Sequence, residues 1–397
     1  MKLKQILSVL LLLTLLISCS SNSEGNLPED LKELENLTVY TANETPMFQI
    51  ELQESARIDD SNDVLLGRIS GLKTDGTGRI FISDDVEKRI NVYTPDGEFI
   101  KSLGRKGQGP GEFEYVHNLA VDESHVYAMD FSKNIINAYF LDTLEFDTTI
   151  PMYREDQRID MLQGYFPTDF MVLSSDEILI SFIKSFGQSD DESQKRVDYI
   201  FKSDRDGRIQ SDPVLELEAA EAIVLRTDNS VSVFGAPFAF SVETELSPDQ
   251  KIVVNRTDRF LFKLYDENGN YERAFYYPFP NKPLTRERAL NQYDNENYRR
   301  AIRNYDLPET WPAIDSFLVD DEGRFWVATI IDDEEMFEWW VLDYQGNLLA
   351  KQTWPLSKRV EHVQNNFVYM REEDETGLVE VVKYQLFMLQ NENSWRN

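Results

Sequence analysis

Cysteine is almost absent from this chain, and several kinds of site are excluded as a result. The only cysteine among the 397 residues is Cys19. No intramolecular disulfide can therefore form, and a zinc site built on four cysteines, or on two cysteines and two histidines, is excluded. Histidine is scarce as well, with three residues in all.

Positive charge is also in short supply. There are 40 lysines and arginines against 71 aspartates and glutamates, which gives a formal net charge of −31. Such a surface repels phosphate groups, so nucleic acid is not an expected partner. A disordered chain is excluded too, because 41% apolar and 12% aromatic residues are enough to build a large core.

Long apolar runs are missing. The longest, Ile6–Ile17, has 12 residues, whereas about 20 are needed to span a bilayer. It follows two lysines, as in a signal peptide, and ends in Leu16-Ile17-Ser18-Cys19, which resembles the bacterial lipobox. The resemblance implies a signal peptide over residues 1–18, lipidation of Cys19 and a tether over residues 19–47. We therefore expect a lipid-anchored protein of the bacterial cell envelope, held at the outer membrane.

After residue 48 the chain repeats one pattern of short strands about six times. Each unit has a turn rich in Asp, Asn or Gly, a short apolar strand, a second strand and an outer strand. The apolar strands begin at residues 80, 126, 178, 252, 325 and 367. Most of these spacings are near the 40–50 residues of a four-stranded propeller blade, and the two longest contain insertions.

This pattern predicts an all-β, six-bladed β-propeller over residues 48–390, with a short helical insertion before blade 5 and a tail over residues 391–397. Apolar and polar residues alternate from Phe48 to Gln53, as in a half-buried strand. We predict that this strand closes the ring by pairing with Val379–Leu389. Closure would remove the open sheet edges that favour aggregation.

The segment Ser102–Phe113, which contains Gly-Gln-Gly-Pro-Gly-Glu-Phe, and the segment Asn118–Asp122 resemble the NHL repeat. The match is good over residues 64–131. Together with the lipobox, it makes the chain similar to the six-bladed β-propeller lipoproteins of the Bacteroidetes. The resemblance implies the fold but supplies little chemistry.

Two activities occur among NHL-like and lactonase-like propellers. The lyases hold zinc through histidines at the starts of the inner strands, but here only His117 stands at such a position. The corresponding neighbourhoods offer Ser70, Asp169, Phe240 and Asp315, so zinc lyase chemistry is not expected. The lactonase-like relatives hold calcium, and calcium is the one cofactor that the resemblance leaves open.

Two insertions interrupt the repeats. Residues 184–196 are polar and are typical of a hairpin tip. Residues 285–305 are predicted to form a helix capped by Thr285, and Arg299, Arg300 and Arg303 make it a local basic cluster. This helix either caps blade 5 or is a lid that offers arginine and aromatic groups to an anionic or sugar ligand.

The tryptophans around blade 5 are expected to pack in the core, with the exception of Trp311, which stands in a connector between blades. No Gly-x-Ser-x-Gly elbow is present, and no residue is assigned a catalytic role.

Connectors that lead into innermost strands converge on one mouth of a propeller channel, and we expect a ligand site there. The predicted site residues are Arg105, His117, Asp169, Arg299, Arg303, Trp311, Asp315 and Arg359. This favours a non-catalytic protein that binds an anionic or sugar ligand, or a protein partner. The alternative is a metal-dependent hydrolase or lyase with a divalent ion in the channel.

Overall fold

The computed structural model is built mainly from short β-strands. It describes residues 27–59, 66–154, 157, 159–173, 177–185, 196–210, 212–227, 230–373 and 377–391. The predicted signal peptide, Cys19 and most of the polar insertion at 184–196 lie outside the described residues. None of the helices in the described ranges is long and apolar enough to cross a membrane.

The described chain begins with a short helix and two strands. They are α1 (Glu29–Lys32) and β1 (Leu37–Val39), which both pack on blade 4, and β2 (Phe48–Ile58), which belongs to blade 6. Most of the remaining strands form groups of four antiparallel strands, and each group is one blade.

Blades 1 to 3 each consist of four strands that are consecutive in sequence. Blade 1 consists of β3 (Ile69–Thr74), β4 (Ile80–Asp84), β5 (Arg89–Tyr93) and β6 (Phe99–Leu103). Blade 2 consists of β7 (Val116–Val121), β8 (His125–Asp130), β9 (Ile135–Phe140) and β10 (Phe146–Pro151). Blade 3 consists of β11 (Tyr165–Val172), β12 (Glu177–Lys184), β13 (Val197–Asp204) and β14 (Leu215–Glu218).

A separate two-stranded hairpin, β15 (Ile223–Thr227) and β16 (Ser230–Phe234), precedes blade 4. Blades 4 and 5 again use consecutive strands, whereas blade 6 takes its last strand from the start of the chain. Blade 4 consists of β17 (Val242–Leu246), β18 (Ile252–Arg256), β19 (Leu261–Tyr265) and β20 (Tyr271–Tyr276). Blade 5 consists of β21 (Ile314–Val319), β22 (Phe325–Ile330), β23 (Met336–Leu342) and β24 (Leu348–Pro355). Blade 6 consists of β25 (Lys358–Gln364), β26 (Phe367–Glu373), β27 (Val379–Gln390) and β2.

The ring closes through β2. This strand pairs antiparallel with β27 from Phe48↔Gln390 to Ile58↔Val381, with one bulge between Glu54 and Ala56. The predicted pairing of the first strand with the last is therefore confirmed. The same strand also makes a parallel bridge from Phe48 to Ala350 of β24, which joins blades 5 and 6 into one sheet.

Apolar clusters between the blades hold the ring together. Among the described residues, six of the eight clusters of buried residues are each shared by two neighbouring blades. Because blade 6 shares its second cluster with blade 1 through Val381 and Ile82, the sheets form a closed circle. All-β architecture with six blades is thus observed as predicted.

The second strand of each blade explains why the repeat was visible in the sequence. In blade 1, Phe81 packs toward blade 2 while Ile80 and Ile82 pack toward blade 6. Since successive side chains of a strand point to opposite faces, a strand covered on both faces must be apolar throughout. Continuous apolar runs at regular intervals therefore mark stacked sheets.

Residues 27–47, which we call the N-terminal strap, run over the outside of the ring. β1 pairs in parallel with β20 as a fifth strand of blade 4, and Leu31, which is 1% exposed, packs against Leu261 and Ala274. The prediction of a free tether as far as residue 47 is therefore wrong for this part. Its leucines have buried partners, which a tether lacks.

A helical insertion does lie before blade 5, as predicted, but it contains two helices, α2 (Arg286–Asn291) and α3 (Glu296–Asn304). Thr285 caps the first by accepting a hydrogen bond from the backbone N–H of Arg288 at 3.2 Å. The side chain of Asn295 caps the second in the same way. Because α2 ends at Asn291 and Asn295 caps the start of α3, the insertion does not form a single helix over residues 286–305.

Candidate functional site

The innermost strand of every blade is its first strand, namely β3, β7, β11, β17, β21 and β25. Neighbouring first strands contact one another, as β3 does with both β7 and β25. Five of the six carry a β-bulge, which re-aims a side chain. The bulged residues are Ser70, Asn118, Thr168, Asp315 and Glu361.

These strands bring polar and charged side chains to the central channel, and all six blades contribute. We call the following set the channel site: Lys73, Asn118, Asp169, Glu243, Glu245, Asp315 and Arg359. Its members contact or electrostatically influence one another across blade boundaries.

Blades 2 and 3 are joined by a hydrogen bond in which the Asn118 amide donates to Oδ1 of Asp169. The same oxygen accepts the backbone N–H of Phe170 at 2.7 Å. Burial is the largest influence on this carboxyl group and raises the pKa of Asp169, while the two hydrogen bonds oppose that rise. Asp169 is thus oriented by two hydrogen bonds to one of its carboxylate oxygens.

Blade 4 supplies two glutamates from one strand. Glu243 and Glu245 are two residues apart on β17 and so lie on the same face. Burial raises the pKa of Glu245 to about 7, with the carboxylates of Asp169 and Glu243 adding to the rise and the Lys73 ammonium opposing it. Burial also raises the pKa of Glu243, although Ser241 Oγ donates to it at 2.6 Å.

Blades 5 and 6 are joined by an ion pair between Arg359 and Asp315. Deeper along blade 6, His362 Nε2 lies 3.0 Å from Thr74 Oγ1 of blade 1. Burial, helped by the Lys73 ammonium, lowers the pKa of His362 to about 3, so this imidazole is neutral at physiological pH. It acts there as a hydrogen-bonding group and not as a charge.

The charges of the channel site are unevenly distributed around the ring, and the two kinds of charge meet at the ion pair between Arg359 and Asp315. Blades 3, 4 and 5 carry the carboxylates, which we call the acidic arc: Asp169, Glu243, Glu245 and Asp315. Blades 1 and 6, which are neighbours in the ring, carry Lys73 and Arg359, which we call the basic arc. A molecule in the channel therefore meets hydrogen-bond acceptors on one side and donors on the other.

Three of the predicted ligand residues, Asp169, Asp315 and Arg359, are members of the channel site. His117 is the second residue of β7, is exposed, and is close enough to influence Asp169 electrostatically. Arg105 lies in the connector between blades 1 and 2, where its guanidinium bonds Glu112 Oε1 at 2.7 Å. It is engaged within its own loop.

The two arginines of the helical insertion are also engaged locally. Arg299 donates to the backbone carbonyl of Leu290 at 2.7 Å, and Arg303 donates to Glu296 Oε1 at 2.6 Å. The structure thus does not bring these arginines into contact with the channel site. That the helices overhang the channel mouth stays a prediction.

Trp311 does not offer its ring to the channel. It is 7% exposed and packs edge to face on Phe238 with ring centroids 6.1 Å apart. It belongs to an apolar cluster that joins the hairpin β15–β16 to α2 and α3. We therefore remove it from the candidate site, because a connector residue that covers an insertion can be as buried as a core residue.

Sequence reasoning missed Lys73, Asn118 and both glutamates of β17. A signal for the glutamates was present, since uncharged and charged residues alternate over Val242–Leu246 just before a turn. Among the residues that the structure describes, no group of three or more His, Cys, Asp or Glu side chains is arranged to hold a metal ion. The metal-dependent alternative thus rests on the sequence alone.

Residues 58–213 match a family described as "6-bladed beta-propeller". The resemblance to six-bladed β-propeller proteins is confirmed. The match covers blades 1 and 2 and most of blade 3, and the pairing of the strands assigns the other blades of the propeller. A search of curated proteins finds no match.

Two solved structures share the fold of this propeller. A protein from Bacteroides fragilis that is described as exported matches with a TM-score of 0.53 and 11% identity, over 89% of this chain and 100% of its own. A DUF4221 family member from Bacteroides vulgatus matches with a TM-score of 0.52 and 9% identity, over 87% and 100% of the two chains. At such identities the likeness concerns the fold alone.

Proposed function

We propose that this propeller is a cell-envelope lipoprotein that binds a polar ligand, or a polar segment of a protein partner, at the channel site without catalysis. The observation that carries the proposal is the convergence of polar and charged side chains from all six blades on one channel. Loops and channel mouths are where such folds concentrate recognition. Envelope location is supported by the lipobox-like sequence and by the similar protein described as exported.

The separated arcs favour a ligand that has both acceptors and donors. An anionic group would face Lys73 and Arg359, where charge-assisted hydrogen bonds are strong. Hydroxyl or ammonium groups would face the acidic arc. An acidic sugar has both kinds of group, so it agrees with the anionic or sugar ligand expected from the sequence. Its carboxylate would face the basic arc and its hydroxyl groups would face the acidic arc.

A thermal-shift screen of the full chain against sugars and sugar acids tests this proposal. A ligand at 100 times its Kd adds about 2.7 kcal/mol to the free energy of unfolding. We expect Glu243→Gln to reduce the shift, because it removes a charge of the acidic arc, and Glu216→Gln on the exposed face of β14 to leave it unchanged. A ligand-induced shift that survives Glu243→Gln and Asp315→Asn would place binding elsewhere.

Metal analysis of the purified protein separates binding from the metal-dependent alternative. The binding proposal expects ligand-induced stabilisation after exhaustive dialysis against a chelator. Stoichiometric calcium or zinc, with loss of stability on chelation, would instead favour the hydrolase or lyase.

A further inference from the structure

A cavity of about 420 Å³ lies between blades 4 and 5, and it shares no lining residue with the channel site. Its walls are the segment 279–283 after blade 4, the turn around Ile331 in blade 5, and side chains of β23 and β24. This volume is within the range of small-molecule sites. Nothing in the channel proposal uses it.

The walls are largely apolar. Trp340 is 3% exposed and Phe279 packs edge to face on it with ring centroids 6.0 Å apart, while Pro280 and Pro283 complete the apolar lining. The N-terminal strap contributes Ala42, which is held there because the ring of Tyr40 stacks on Tyr277 with centroids 4.7 Å apart and planes 11° apart. The cavity is thus a built feature and not a gap between loose segments.

Two lysines supply the cavity with hydrogen-bond donors. Lys282 is 5% exposed, and its Nζ lies 3.5 Å from Glu334 Oε1 and 5.5 Å from the centroid of the Trp311 ring. Lys351 holds its Nζ 3.4 Å from the centroid of the Trp340 ring and 3.9 Å from Glu338 Oε1. Each ammonium has three donors, and a carboxylate at these distances satisfies at most one of them.

The acceptors around the cavity are less free than the donors. Glu338 Oε1 accepts the indole N–H of Trp340 at 2.7 Å. The Asn281 amide donates to the carbonyls of Asp258 and Trp311 at 2.9 and 3.0 Å. Asp332 is exposed at the rim, where water solvates its carboxylate. The enclosed part of the cavity therefore favours a negatively charged group beside apolar surface.

We propose that this cavity binds an organic carboxylate with an apolar body. The carboxylate would lie between Lys282 and Lys351, and the body would pack on Trp340 and the proline-rich wall. Burying apolar surface there contributes about 25 cal/mol per Å², and the charged hydrogen bonds select the anion over a neutral analogue. This site is independent of the ligand at the channel.

Calorimetric titration of the full chain with phenylacetate, phenylacetamide and glucuronate tests the proposal. Phenylacetate should bind, and phenylacetamide, which has the same shape without the charge, should bind at least tenfold more weakly. Lys351→Met keeps the aliphatic stem over Trp340 and should weaken phenylacetate binding at least tenfold, as should Lys282→Met. Lys101→Met, on the exposed outer strand of blade 1, is the matched control and should bind normally.

A further variant guards against loss of folding. Ala42→Trp fills the cavity from its exposed strap wall without removing a lysine, so it should also abolish phenylacetate binding while the melting curve stays cooperative. Glu243→Gln should bind phenylacetate normally, which distinguishes this site from the channel site. Glucuronate is the probe of the channel site, and its binding should not change in Lys351→Met. Equal binding of acid and amide, no binding of phenylacetate, or unchanged phenylacetate binding by Ala42→Trp would each overturn the cavity proposal.

Discussion

Arg299 and Glu245 show how much the use of a charged side chain depends on its immediate neighbours. Arg299 donates to the carbonyls of Leu290 and Tyr293 at the turn between two helices, so its charge serves the insertion itself. Glu245 is surrounded by other carboxylates in the channel and has Lys73 as its nearest compensating influence. Sequence shows both as charges, and only the fold shows that one is paired within its own insertion while the other lies in the channel.

Replacing Glu245 by Gln should stabilise the protein above neutral pH and not at acid pH. The pKa of Glu245 is raised to about 7 in the folded protein and has its ordinary value of 4.5 in the unfolded chain. Between these values the unfolded chain loses the proton while the folded protein keeps it, so the free energy of unfolding falls as pH rises, then levels off above the folded pKa.

We expect urea denaturation to give Glu245→Gln an advantage over wild type of about 1–3 kcal/mol at about pH 8 and none at about pH 4. Glu216→Gln makes the same charge change on an exposed part of β14. Its free energy of unfolding should therefore differ from that of wild type by the same amount at both pH values. An advantage of Glu245→Gln that is the same size at both pH values would show that the carboxyl group titrates normally in the fold.

Second strands and first strands of the blades differ in how well a sequence reveals them. β4, β18 and β22 are covered on both faces and read as apolar runs, so the repeat and the number of blades could be predicted. First strands have one face toward a polar channel, and their bulges break the alternation of side chains. Asp315 and Asn118 sit at such bulges, so the pairing of site residues between blades could not be read from spacing.

The closing strand β2 offers a direct test at this scale. Its apolar side chains pack in the cluster between blades 5 and 6, whereas Gln53 is exposed. Leu52→Asp should therefore lower the free energy of unfolding by about 2–4 kcal/mol, because it places a charge in apolar surroundings. Gln53→Asp, at the neighbouring position on the other face, should change it by less than about 0.5 kcal/mol.

Chemical denaturation followed by tryptophan fluorescence measures both effects, since three tryptophans of blade 5 are buried in clusters between blades. Deletion of Phe48–Arg57 should lower the melting temperature of the whole propeller for the same reason. Similar stabilities for the two Asp variants, or an unchanged melting temperature after the deletion, would contradict a structural role for this strand in closing the ring.

At the scale of the whole molecule, the N-terminal strap connects the predicted anchor to the side of the propeller. Tyr40 donates to the carbonyl of Gln345 in blade 5 at 3.0 Å, and α1 and β1 are attached to blade 4. Only residues 20–26 thus separate the predicted lipid on Cys19 from the strap. A propeller anchored in this way would have the outer side of blade 4 facing the membrane.

Cys19→Ser should release the protein from the membrane fraction into the soluble fraction. One acyl chain anchors a protein weakly, and the two or three chains of a bacterial lipoprotein anchor it firmly, so loss of the modified cysteine should be decisive. Ser20→Ala is the matched control and should stay with the membranes. Fractionation and immunoblotting measure the outcome, and sedimentation of Cys19→Ser with the membranes would show that the anchor is not a lipid on this residue.

The pairing of β2 with β27 also dictates an order of events during synthesis. Ile58 leaves the ribosome about 320 residues before Val379 and the rest of its partner strand. At roughly 5–20 residues per second, β2 waits for about 16–64 s with its hydrogen-bonding edge unpaired. The ring therefore closes only after Val379–Gln390 has been synthesised, and a chain released earlier keeps an unpaired strand edge that favours aggregation.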